Sequence, residues 1–74
     1  MTKPLKNLLT DWVIGDWYHE GKLRVRGVAV FAQEGIVDAG EVLNTSHVVS
    51  VRHGPEGLVV ETANSMYILV LGGE

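Results

Sequence analysis

The sequence predicts a mostly β fold: a small five- to six-stranded antiparallel barrel with a short N-terminal helix. Three observations predict it. Between Leu23 and Phe31 the residues divide into two faces, with Leu23, Val25, Gly27, Ala29 and Phe31 on one and Arg24, Arg26, Val28 and Val30 on the other. A period of two is a strand. Turn signals recur at short intervals, most strongly at His53-Gly54-Pro55-Glu56-Gly57. The chain has 74 residues, 46% hydrophobic and 20% charged, which suffices for one domain with a small core. A flat sheet of this size leaves an apolar face wet and two edges open, and closure removes both.

Residues 1–3 are expected to be a loose end. Pro4 suits the first position of a helix, and Leu5, Leu8, Leu9 and Trp12 follow at the spacing of one helical face. One or two turns are predicted, packed on the barrel or over one end, because Asp11 and Gly15 leave little room for more. From Trp12 to Tyr18 strand formers take over, and His19-Glu20-Gly21-Lys22 is a turn. The Leu23 to Phe31 strand follows, with Gly27 marking a bulge or bend. Residues 32–41, carrying Gly35, Asp38 and Gly40, are a loop with one or two paired residues. Val42 and Leu43 pair briefly, Asn44-Thr45-Ser46 punctuates, and His47 to Arg52 is a strand. Leu58 to Thr62 and Met66 to Leu71 are the last strands, joined by a tight turn at Ala63-Asn64-Ser65. Residues 72–74 are expected to fray. The whole of 1–74 forms one domain, and local turns between successive strands predict a meander. Src-homology-3-like and oligonucleotide-binding-like barrels both fit, since local patterning does not fix the pairing order of short strands.

Composition narrows the chemistry. There is no cysteine, which removes disulfides, thiolate metal sites and thiol nucleophiles and fits a cytoplasmic location. A small chain without such staples can gain stability by self-association, so a homodimer is admissible. The net charge of −3 argues against binding nucleic acid without regard to sequence. The apolar run Met66 to Leu71 is far short of the roughly 20 residues that span a bilayer, and Thr10-Asp11 interrupts Leu8-Leu9 before any signal-peptide core forms. No membrane partner is expected.

No catalytic or metal motif emerges. His19, His47 and His53 lack metal-ligand spacing; the even separation of His47 and His53 puts both on one face of a strand, but about 20 Å apart when it is extended. Ser46 and His47 are neighbours, so a strand points them to opposite faces. No Gly-x-Ser-x-Gly elbow, phosphate loop or Gly-x-Gly-x-x-Gly occurs. Glu34, Asp38 and Glu41 share one loop without the ligand spacing of an EF-hand and are expected to be a solvated acidic surface. The chain is therefore expected to be no enzyme and to carry neither cofactor nor metal. An enzyme would need a pocket of about 300–1,000 Å³, which a single small barrel hardly encloses and only a dimer interface could supply.

In the C-terminal half, Thr45-Ser46, Val48-Val49-Ser50-Val51, Val60-Glu61-Thr62 and Asn64-Ser65-Met66-Tyr67-Ile68-Leu69 follow in order. Over residues 41–71 this resembles a group of short phage and prophage proteins with a Thr-Ser strand followed by a T-x-[NS]-S-x-Y-x-L hairpin. The resemblance implies a small barrel and a phage-borne accessory protein, and it transfers no catalytic residue. Ordinary strand and turn chemistry accounts for the same residues: Thr45 and Ser46 can bond neighbouring backbone, and Asn64-Ser65 suits a hairpin.

The candidate site is a basic and aromatic cluster. Lys22, Arg24 and Arg26 alternate along one side of a strand, and Trp17 and Tyr18 lie across the Gly21 turn, where a hairpin brings a ring beside an arginine. Trp, Tyr and Arg anchor protein interfaces. They also suit single-stranded nucleic acid, whose bases stack and whose phosphates pair. A solvated strand face covered by arginine stems is the third account. Val28 and Val30 share this face and need cover, from the N-terminal helix or from a partner. The expected function is a non-enzymatic accessory protein that binds a host protein, including a component of host defence, through Trp17, Tyr18, Lys22, Arg24 and Arg26. A single-stranded nucleic-acid binder on the same surface is the alternative.

Overall fold

A computed structural model describes residues 3–71. Five strands, β1 (Leu5–Gly15), β2 (Arg24–Ala29), β3 (Val42–Gly54), β4 (Gly57–Thr62) and β5 (Met66–Val70), form one closed sheet in chain order. Each consecutive pair is antiparallel. β1 and β5 close the sheet and run parallel, with Leu5 beside Met66 and Leu9 beside Leu69. In a meander with an odd number of strands the first and last point the same way, so the closing seam is parallel by necessity. This order is not the Greek key of an oligonucleotide-binding barrel. No helix occurs among the described residues, and hence none long and apolar enough to cross a membrane.

The helix predicted from Pro4 to Trp12 is instead the first half of β1. Asn7 and Leu9 point inward at strand spacing and are buried. A bulge then inserts one extra residue, since Thr10 pairs with Val28 but Val13 with Arg26. Asp11 takes a left-handed φ of 49° there. The phase shifts, and Trp12 and Ile14 pack against the core. The inward set 7, 9, 12, 14 contains a step of three that imitates a helical turn. Trp12 Nε1 donates to the Val70 carbonyl at 2.9 Å, tying the bulge to β5. Lys3 is not loose: its Nζ donates to the Thr62 carbonyl at 2.7 Å and pairs with Glu61 at 3.0 Å. Residues 1–2 and 72–74, also expected to be loose, lie outside the described residues.

β2 follows its predicted phase, with Val25, Gly27 and Ala29 buried. Leu23 and Phe31 fall outside the strand and are exposed. Gly27 is neither bulged nor bent away from its partner Leu43. It permits close approach: a Cβ there would lie 3.0 Å from the Cβ of Trp12 and 3.1 Å from that of Leu9.

Asn44-Thr45-Ser46 does not end a strand. β3 runs through it, bending at two bulges, one opposite Arg24–Arg26 and one between Val48 and Ser50. At the first, the Thr45 hydroxyl accepts a bond from the Val25 N–H at 3.1 Å and donates to the Ser46 carbonyl at 2.8 Å. The side chain thus replaces a ladder bond that the bulge removes. The turns at Pro55-Glu56 and Ala63-Asn64 lie as predicted. Leu9, Val25, Ala29, Leu43, Val60, Tyr67 and Leu69 fill the interior, and Val37 reaches it from the β2–β3 loop.

Candidate functional site

The β1–β2 connection is built around Asp16. Its Oδ1 accepts the Glu20 N–H at 2.9 Å and its Oδ2 the Gly21 N–H at 2.6 Å. The bond from Glu20, helped by that from Gly21, holds the Asp16 carboxyl below the usual carboxylate range. His19 turns the chain with a left-handed φ of 57°. The effect is to fold Trp17 and Tyr18 back over the outer face of β1 and β2.

Both rings meet an arginine. The Arg26 guanidinium carbon lies 4.6 Å from the Trp17 ring centre and that of Arg24 lies 4.7 Å from the Tyr18 ring centre. Each contact contributes about 0.5–1 kcal/mol at an exposed site. Arg26 Nε also donates to Asn44 Oδ1 at 2.9 Å, and Arg24 Nη2 to Glu20 Oε1 at 3.3 Å. Strand pairing fixes the spacing: Gly15 and His47 flank Arg24, and Val13 and Asn44 flank Arg26. Trp17, Tyr18, Arg24 and Arg26 are therefore one assembled cluster. Lys22 is exposed in the link ahead of β2 and neither ring stacks on it.

Trp17 reaches Arg26 because Gly15 has no side chain. A Cβ at Gly15 would lie 2.8 Å from the indole ring. Gly15→Ala is expected to lift the ring off Arg26, weaken the near-ultraviolet circular dichroism of Trp17 and cost about 1–2 kcal/mol, as overpacking does. An unchanged near-ultraviolet spectrum would contradict this placement. The indole Nε1 and Arg24 Nε are buried here without hydrogen-bond partners. Such a group costs about 1–3 kcal/mol.

An apolar strip adjoins the cluster. Val28 lies between Thr10 and Val42 on the same outer face. Val13 and Val42 are 54% and 58% exposed, and Val30 is also exposed. No helix covers this strip: β1 lies beside β2 as a strand and leaves Val13, Val30 and Val42 open to solvent, with Val28 half-buried.

The remaining chemistry-bearing groups stay apart. The bulge at Val49 reverses the phase of β3, so His47 and His53 face opposite sides rather than the same side. Among the described residues no three His, Cys, Asp or Glu side chains gather as metal ligands. The β2–β3 loop holds a shallow depression of about 230 Å³ lined by Gln33, Ile36, Asp38 and Glu41. Sequence reasoning missed Asn7, which clamps this loop. Its Nδ2 donates to the Phe31 carbonyl at 2.7 Å and to Gln33 Oε1 at 2.6 Å, while its Oδ1 accepts the Phe31 N–H at 2.9 Å. The signal was present only in a strand reading of β1, where Asn7 falls in phase with Leu9.

Comparison with protein-family models, curated proteins and solved structures found no match.

Proposed function

We propose that the protein is a non-enzymatic binding module, a small Src-homology-3-like barrel whose outer β1–β2 face docks on another protein. The observation that carries this reading is the pair of arginine–aromatic stacks beside the exposed Val13 and Val42 and the half-buried Val28 between β1 and β3. Rigid aromatic and arginine anchors next to an apolar strip have the composition of an interface core.

Single-stranded nucleic acid fits less well. A base needs an open ring face, and Trp17 already packs on Gly15 and Arg26. A phosphate needs free cations, and Glu20 holds Arg24 while Trp17 and Asn44 engage Arg26, so Lys22 is the cation of this cluster left to meet it. What supports a host protein as partner, with a component of host defence as the target, is the resemblance of residues 41–71 to short phage proteins.

The test is capture from lysate of the native host, with and without nuclease treatment, by the wild-type protein and by an Arg24→Glu/Arg26→Glu variant. Far-ultraviolet circular dichroism checks that the variant is folded. The wild type is expected to retain a discrete protein and the variant to lose it at least tenfold. Equal retention by the two would overturn the assignment. Retained material that nuclease removes, and whose binding falls steeply with salt, would establish the nucleic-acid reading instead.

A further inference from the structure

The second half of β3 has one unpaired side. β2 reaches β3 only as far as His47, with the Leu23 carbonyl accepting the Val48 N–H at 2.7 Å beyond it. From Val49 to Gly54, β3 pairs only with β4. Two bonds fix the alternation along β4: Thr62 N–H donates to the Ser65 carbonyl at 2.8 Å, and Ala63 N–H to the His47 carbonyl at 3.2 Å. Thr62, Val60 and Leu58 thus bond towards β5, and Glu61, Val59 and Gly57 towards β3. Their partners Ser50, Arg52 and Gly54 bond back to β4. The N–H and C=O groups of Val51 and His53 therefore point to the open side, where no strand among the described residues pairs with them. The side chains beside them are apolar: Val49 is 56% and Val51 45% exposed, and Leu23 is exposed at the start of the edge.

An open edge of this kind is a template for another strand. We propose that its occupant is a second copy of this chain, added antiparallel about a two-fold axis through Val51. Charge complementarity carries the choice. The N–H and C=O groups available on Val51 and His53 admit few self-pairings. An axis through Arg52 sets Arg52 against its own copy, and like charges directly opposite are destabilising. An axis through Val51 sets Val51 against Val51 and Arg52 against Ser50 of the second copy. Ser50 Oγ donates to Glu61 Oε1 at 3.4 Å, so each arginine lands beside a hydroxyl and a carboxylate. This surface lies on β3 and is separate from the Trp17–Arg26 cluster, so either proposal can fail without the other. Pairing over about five residues buries less than the roughly 1,200 Å² of a standard interface, so the dimer is weak and reversible.

Sedimentation velocity of the full chain up to millimolar concentration, with amide hydrogen exchange at the same concentrations, tests this. The wild type is expected to pass from monomer to dimer, with exchange at Val51 and His53 slowing as the dimer fills. Arg52→Glu places a carboxylate near Glu61 of the second copy and is expected to weaken association about fivefold, the contact occurring twice by symmetry. Ser50→Arg/Arg52→Glu restores opposite charges and is expected to recover it. Circular dichroism confirms that these exposed substitutions leave the fold intact. A wild type monomeric throughout, or a dimer with unaltered exchange at Val51 and His53, would overturn the proposal. So would a folded Arg52→Glu variant that associates normally, or a double variant that does not recover.

Discussion

Gly57→Ala is expected to remove about 4 kcal/mol of stability, a large part of what a 74-residue domain has at about 0.05–0.15 kcal/mol per residue. Gly57 opens β4 at a φ of 151°, a conformation that side-chain-bearing residues rarely adopt. It also lies between Gly54 of β3 and Val70 of β5. A Cβ built on it would lie 2.2 Å from the Leu69 carbonyl oxygen and 3.1 Å from the carbonyl carbon. That obstacle is backbone, so no rotamer change relieves it. Backbone strain contributes about 1–3 kcal/mol and overpacking a similar amount. Gly54→Ala is the comparator. Its Cβ meets the end of the Val59 side chain at 2.8 Å, which can rotate, and its φ is not positive. It is expected to cost well under half as much in urea denaturation followed by circular dichroism. Equal losses at the two glycines would refute the account.

Asn7→Asp is expected to cost about 3 kcal/mol at neutral pH, although the two side chains have nearly the same shape. Asn7 is 1% exposed. Its two amide N–H bonds end on oxygens of Phe31 and Gln33, so a carboxylate there faces two acceptors without a proton to offer. An uncompensated buried charge is among the most destabilising single changes. Repulsion and burial raise the pKa of the new carboxyl in the folded state above its unfolded value. Such a group is stabilising when protonated, so the deficit relative to wild type shrinks as pH falls through that raised pKa. Protonation also returns one of the two donors. Urea midpoints of both proteins across the acid range measure this. A deficit below about 1 kcal/mol, or one that grows on acidification, would show that the clamp is not what holds residues 31–33.

Both residues show where the sequence is legible. β2, β4 and β5 were readable because each keeps one phase from end to end, and the glycine, proline and asparagine turns between them follow from local chemistry. The Arg24–Arg26 face came from the same regularity, but its meeting with Trp17 and Tyr18 did not: the strand expected from Trp12 to Tyr18 ends at Gly15, and both rings lie in the connection that Asp16 folds back. β1 and β3 were misread because bulges change their phase. In β1 the extra residue makes the apolar spacing look helical, and in β3 it made Asn44 to Ser46 look like a break and set His47 and His53 on the wrong common face. A bulge is decided by the neighbouring strand, so it has no local signature. Asn7 was hidden for this reason too, since its burial follows only once its segment is known to be a strand. The open side of β3 depends on where β2 begins, which is likewise a property of the pair.

The parallel seam between β1 and β5 governs how the chain folds as well as how it ends up. Leu5 must find Met66 and Leu9 must find Leu69, nearly the whole length of the chain apart. Closing so long a loop is entropically opposed until the seam's own bonds repay it, and topologies rich in distant pairings fold on the order of milliseconds to seconds. The antiparallel hairpins can form from neighbouring residues as they appear, but β1 has only one of its two neighbours until β5 exists. During synthesis β1 therefore keeps one edge open until β5 has emerged.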